Sequence, residues 1–223
     1  MTMTTYRAMD VVRLDGTFDP RLSRWLWLVK MFLAIPHFVI LAALSIPFIL
    51  TTLFAGVAIL STGHYPRRLF DFNVGILRWN WRVGFYVYAA LGTDKYPPFS
   101  LAPRADYPAH FDVAYDGHPS RGLVPLKWLM SVPHLVIVAL IMGTLLSFVP
   151  RTSVATGAFS VLNVLVVIAG VFLMITARYP RPLFELLIGL NRWVYRVVAY
   201  VAFMHDEYPP FRLDTQDFHV GEH

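Results

Sequence analysis

Cysteine is absent from the 223 residues, which excludes disulfides, iron–sulfur and thiolate zinc ligation, and a cysteine nucleophile. Charge is scarce too, at 15% of residues against about a quarter in an ordinary soluble domain. There is no glycine-rich phosphate loop, and Ser23, Ser45, Ser61 and Ser131 stand in no nucleophile-elbow context, so nothing reads as an enzyme. No dense Lys/Arg tract suggests nucleic acid. Met1 to Pro20 has no early apolar run and no small-residue cleavage site. It is not expected to be a secretory signal, and the first hydrophobic segment should remain in the mature protein.

What is abundant is apolar. Hydrophobic residues make up 57% of the chain and the mean hydropathy is +0.53, the profile of a small membrane protein. Between Lys30 and Arg67 lie 36 residues without a charge. As one upright helix they would reach about 54 Å, against a hydrocarbon core of about 30 Å. The expectation is therefore a hairpin of roughly Arg24–Leu44 and Phe48–Gly63 turning near Ser45-Ile46-Pro47, with Lys30 reaching back to the interface on its long stem. Arg151 splits the second apolar block into Trp128–Pro150 and Thr152–Ala177, giving a second hairpin. Arg7, Arg13, Arg21 and Arg24 precede the first hairpin and Arg67 and Arg68 follow it; Arg121 and Lys127 precede the second, and Arg178 and Arg181 follow it. By the positive-inside rule, both termini and the middle segment face the cytoplasm of a multi-pass protein.

Self-comparison shows a duplication. Lys30, Pro36 and His37 recur 97 residues later as Lys127, Pro133 and His134. Tyr65-Pro66-Arg67, Leu69-Phe70-Asp71, Gly75, Arg78-Trp79, Arg82-Val83 and Tyr86 recur 114 residues later as Tyr179-Pro180-Arg181, Leu183-Phe184-Glu185, Gly189, Arg192-Trp193, Arg196-Val197 and Tyr200. Tyr96-Pro97-Pro98-Phe99 recurs as Tyr208-Pro209-Pro210-Phe211. The shift from 97 to 114 makes the second hairpin 17 residues longer, mostly at its tip. The expected fold is all-α and integral to the membrane. It has a first unit at 1–104 (hairpin about 24–63, amphipathic helix about 68–91) and a second at 105–223 (hairpin about 123–177, amphipathic helix about 182–204). Val12/Leu14 and Phe111/Val113/Tyr115 alternate with polar residues before Asp-Gly turns, so each unit also opens with a short extended segment at the membrane surface. The two segments can pair with each other.

In the third helix of each unit, Asp71, Gly75, Arg78 and Arg82 fall within a stripe about 60° wide, as do Glu185, Gly189, Arg192 and Arg196. Unpaired at mid-bilayer, such charges cost roughly 2.5–3.5 kcal/mol each. The stripe should either meet headgroup phosphates in the interface, the placement favoured here, or turn inward with Asp71 or Glu185 paired to arginine. Arg67, Arg68 and Arg181 join these residues as a candidate surface for anionic lipids or a partner. His37 and His134 form a candidate polar site inside the membrane; their sharper reading, a metal or haem held by both imidazoles, has no other ligands to support it, and no metal or cofactor is expected. The five Tyr-Pro pairs, at Tyr65, Tyr96, Tyr107, Tyr179 and Tyr208, read as interface anchors and turns.

The repeated pattern is Arg-Trp or Lys-Trp entering Ile-Pro-His or Val-Pro-His, then Tyr-Pro-Arg-x-Leu-Phe, Gly-x-x-Arg-Trp-x-x-Arg-Val and Tyr-Pro-Pro-Phe. It resembles the bacterial membrane family known as domain of unknown function 4389, over about Val12 to Leu213 as two tandem copies. The resemblance implies an integral membrane protein and carries no activity, substrate or catalytic residue. Arg121-Gly122 replaces Arg24-Trp25, and Pro182 replaces Arg68, so the two units are not identical in their basic residues. The expected function is a non-enzymatic scaffold or accessory protein of the bacterial cytoplasmic membrane, contacting lipid headgroups, a membrane complex or a second copy. A small transporter or channel for an anionic solute is the alternative, and it requires inverted repeats with Thr93 to Arg121 outside the cell.

Overall fold

The computed structural model describes residues 11–19, 22–141, 161–176, 178–211 and 213. Arg7, Arg21, Arg151 and the longer tip of the second hairpin lie outside the described residues. The chain is mostly helical. Strand β1 (Val12–Gly16) leads to helices α1 (Leu26–Leu33), α2 (Ile35–Thr62) and α3 (Arg67–Tyr86); strand β2 (Ala109–Val113) follows, then α4 (Leu123–Ile141), α5 (Val161–Thr176) and α6 (Arg181–Val201). The two strands pair antiparallel, with Val12 opposite Val113 and Leu14 opposite Phe111, so a small sheet is added to an otherwise helical fold.

The turn expected near Ser45-Ile46-Pro47 is not there. Helix α2 runs unbroken for 28 residues through Pro47, about 42 Å of rod, and the chain breaks instead at Ala34, just before Pro36. Packing explains the difference. Phe38, Leu41 and Leu44 lie against a cluster of Ala34, Trp79, Val83, Tyr86 and Val87, while Thr51 and Thr52 bond Asn73 farther along. An unbroken α2 thus packs antiparallel along α3 over most of its length, which offsets the hydrogen bond lost at Pro47. Gly63 ends α2 in the left-handed conformation (φ 77°), donating its N–H to Ile59 O at 2.8 Å. Tyr65-Pro66 and Tyr179-Pro180 then open α3 and α6 from the same extended backbone.

Among the described residues two helices, α2 and α4, are long and apolar enough to cross a membrane, and α5 is shorter. The elements form layers. Strand β2 packs on α3 and β1 on α6, while α2 lies against α3, and α4 and α5 against α6. On α3, Arg78 and Phe85 meet the strand layer, whereas Asn73, Trp79 and Val83 meet α2. Trp81, Phe85, Phe111, Phe184 and Tyr195 fill the core between sheet and helices.

Candidate functional site

Two matched polar clusters hold each copy together. Lys30 does not reach out to solvent. It is 1% exposed, 2.8 Å from the Asp94 carboxylate and 2.6 Å from Thr93 O, under the Tyr86 ring. Lys127 repeats this with Asp206 at 2.6 Å, His205 O at 2.7 Å and the Tyr200 ring. Beside them sit the histidines. His37 stacks on Phe99 and accepts the Trp79 indole N–H at 3.2 Å; His134 stacks on Phe211 and lies within hydrogen-bond reach of Tyr208 OH and Pro209 O. Tyr96 and Tyr208 donate to Leu33 O and Met130 O, carbonyls in the turn before each helix proline. Each imidazole is therefore taken up by the Tyr-Pro-Pro-Phe segment of its own copy. Among the described residues no group of three or more His, Asp or Glu could hold a metal.

The arginine stripe turns inward. Arg78 donates to Phe111 O, Leu101 O and the Asp112 carboxylate (2.9 Å), and Arg82, 1% exposed, donates to Ser100 O and Ala102 O. Arg192 donates to Leu14 O and pairs with Asp15 at 3.8 Å. The α3 arginine thus reads the strand of the second unit, and the α6 arginine the strand of the first. Arg196 is buried. Asp71 pairs with Arg67 one turn earlier on its own helix, whereas Asp112, not Asp71, neutralises Arg78. Arg67, Arg68, Arg181 and Glu185 are exposed at the starts of α3 and α6.

Where α3, the outer face of the sheet and the segment after Phe99 meet, Arg13, Arg78, Arg82, Arg104 and His110 line a cleft of about 320 Å³ together with Asp15 and Asp112. Burial, with Arg78 and Arg104 nearby, pushes the Arg82 guanidinium down to about 10, which leaves it charged at neutral pH. Sequence reading singled out Arg78 and Arg82 but missed Arg104 and His110 and took Arg13 for a flank, because only the β1–β2 pairing and a loop fold bring them to α3. His64 and His118, 54 positions apart in the chain, are brought together as well, their rings 4.3 Å apart. The Tyr-Pro pairs divide: Tyr65, Tyr107 and Tyr179 are buried pegs, and only Tyr96 and Tyr208 are exposed.

The chain belongs to the family described as domain of unknown function (DUF4389), whose sequence model matches residues 24–100 and 126–212 as two tandem copies. No curated protein and no solved structure matches it.

Proposed function

We propose that the protein is a non-enzymatic scaffold or accessory protein integral to the bacterial cytoplasmic membrane, engaging anionic headgroups or a partner membrane complex through its basic residues. The observation that carries this reading is the bare apolar side of the helices. Val39, Ile46, Leu53 and Val57 of α2, Leu129 and Val136 of α4, and Val167 and Phe172 of α5 are all exposed, although these helices also bury apolar residues on their inner sides. A helix apolar on both sides belongs in lipid, and a bare patch of this extent marks a membrane or partner surface.

The middle segment supports a seat in one leaflet. At one end Asp94 holds Lys30 of α1; at the other, Gly117 O accepts the Tyr65 N–H (3.4 Å) and His118 meets His64, just past the end of α2. One polar segment thus accompanies the rod from end to end. In an upright α2 the largely exposed carboxylates of Asp15 and Asp112, held by Arg192 and by Arg78 at the middle of α3, would face hydrocarbon near mid-bilayer, a placement that lipid disfavours. Laid along the leaflet, the helices bury their apolar side and turn the sheet to the cytoplasm. The pairing of β1 with β2 favours one side for both segments, as the charge flanks do, and weighs against inverted repeats. Arg67, Arg68, Arg178 and Arg181, exposed at the α2–α3 and α5–α6 corners, are placed to meet headgroups.

Vesicle flotation tests the reading. Alanine at Arg67, Arg68, Arg178 and Arg181 together should lower the fraction floating with anionic vesicles and leave neutral vesicles unaffected. Protein that leaves bacterial membranes in alkaline carbonate without detergent would count against an integral seat.

A further inference from the structure

The geometry points to a phosphate-binding site in the cleft lined by Arg13, Arg78, Arg82, Arg104 and His110, a site separate from the headgroup contacts at the helix corners. The cleft is cationic once its internal pairs are counted. Asp112 is engaged by Arg78 at 2.9 Å and Asp15 by Arg192 at 3.8 Å, so both carboxylates in its wall are already matched. Arg13 and Arg104 have no ion pair among the described residues, and both are exposed at the mouth.

Arg82 supplies the floor. Its Nε and Nη2 are committed to Arg78 O, Ser100 O and Ala102 O, which fix the plane of the guanidinium, while Nη1 is buried without an acceptor among the described residues. A buried charged donor held in place and left unmatched is the arrangement an anion oxygen satisfies. Three guanidinium groups from a strand, a helix and a loop suit a tetrahedral oxyanion better than a flat carboxylate, because the donors approach from different directions. The cleft of about 320 Å³ has room for a phosphate and for part of the group esterified to it. In the proposed seat the sheet faces water, so the cleft opens toward soluble phosphate esters; a lipid phosphate shares the same chemistry.

Calorimetric titration of the full-length protein in detergent with inorganic phosphate tests the site. The wild type should saturate at or below about 1 mM, and Arg13→Gln and Arg104→Gln should each weaken binding about tenfold, with Arg68→Gln unchanged. Both cleft residues are exposed and neither side chain makes a hydrogen bond or ion pair among the described residues, so the variants should keep the wild-type melting temperature. Absence of saturable binding, or binding undiminished in both folded cleft variants, would overturn the proposal. Competition then names the source. Displacement of phosphate by glycerol 3-phosphate alone assigns a soluble ester, displacement also by phosphatidic acid in mixed detergent micelles assigns a lipid phosphate, and displacement by neither counts against a phosphate-ester site. Flotation with anionic vesicles is read separately on the corner arginines, so loss of one result leaves the other standing.

Discussion

Lys30 and Asp94 form an ion pair of 2.8 Å in which the lysine side chain is 2% exposed. Asp94 spends its second oxygen on the Ser23 N–H, and Asp206 does the same with Ser120 N–H beside Lys127. In each copy one carboxylate therefore ties the segment after the amphipathic helix to the chain entering the first apolar helix. The segment then continues into Tyr-Pro-Pro-Phe, whose rings pack on His37 or His134. Lysine, histidine, aspartate and the aromatic pair thus act as one closure, and that is the physical content of the repeated motif.

Breaking that closure should be costly. Asp94→Asn or Asp206→Asn leaves a buried ammonium without its counter-charge, and each is expected to destabilise the fold by about 3–5 kcal/mol. The double variants Lys30→Met/Asp94→Asn and Lys127→Met/Asp206→Asn should recover part of the loss, because the orphaned charge goes with its partner. Thermal unfolding in detergent of the single and double variants reads the difference; equal losses would show that the charge pair itself contributes little.

Acid should weaken the second closure through His205. This residue follows α6, is buried against the Tyr200 ring and lies beside the Lys127 ammonium, with Asp206 next in sequence. Burial, and then Lys127, push its imidazole down to about 4 from an ordinary value near 6.5. The unfolded chain takes up the proton first as pH falls. The associated stability is therefore fully present above about 6.5 and is lost between 6.5 and 4, at roughly 3 kcal/mol. His205→Phe should flatten stability across that window. The Lys127-paired Asp206, whose carboxyl is held below its usual value, still produces a decline at lower pH.

Glycine in the stripe has a steric role. A Cβ on Gly75 would lie 2.9 Å from Leu101 Cβ and 3.1 Å from Leu101 O, the carbonyl that Arg78 bonds. A Cβ on Gly189 would lie 2.8 Å from Leu213 O. Alanine raises helix propensity, yet Gly75→Ala and Gly189→Ala should each lower the melting temperature, by an amount corresponding to about 1–3 kcal/mol. Gly122→Ala, which meets nothing within 4 Å, is the neutral control.

The duplication was legible because identical residues recur in order, and the third helix of each unit because its apolar face keeps a helical period, although α3 ends at Tyr86 and α6 at Val201, short of the 91 and 204 read from the pattern. The direction of the arginine stripe was legible only in part. Energetics keeps it off hydrocarbon, but the groups that receive it, Phe111 O, Asp112 and Leu101 O, arrive through non-local pairing that no local pattern encodes. Lys30 misled for the same reason, since Asp94 lies 64 positions away and a long stem near an apolar run looks free to reach water. The turn read at Pro47 came from assuming that an apolar run must stand upright in the bilayer; a rod lying along α3 has no such length limit.

Orientation of α2 can be read directly, because a chain without native cysteine gives a clean background for single-cysteine labelling. Arg24 precedes α1, Ser45 lies mid-rod and His64 follows α2, and all three are exposed. If the rod lies in one leaflet, Arg24→Cys and His64→Cys should both react with a membrane-impermeant maleimide from the cytoplasmic side of sealed vesicles, and Ser45→Cys should stay unreactive until detergent is added. If α2 crosses the bilayer, Arg24→Cys and His64→Cys must label from opposite sides. The contact between His64 and His118 sharpens the comparison, since His118→Cys has to follow His64→Cys in either case. Opposite-sided labelling would require the segment from Asp94 to His118 to pass through the bilayer with Arg104, Asp106 and Asp112 on it, a cost that the one-leaflet seat avoids.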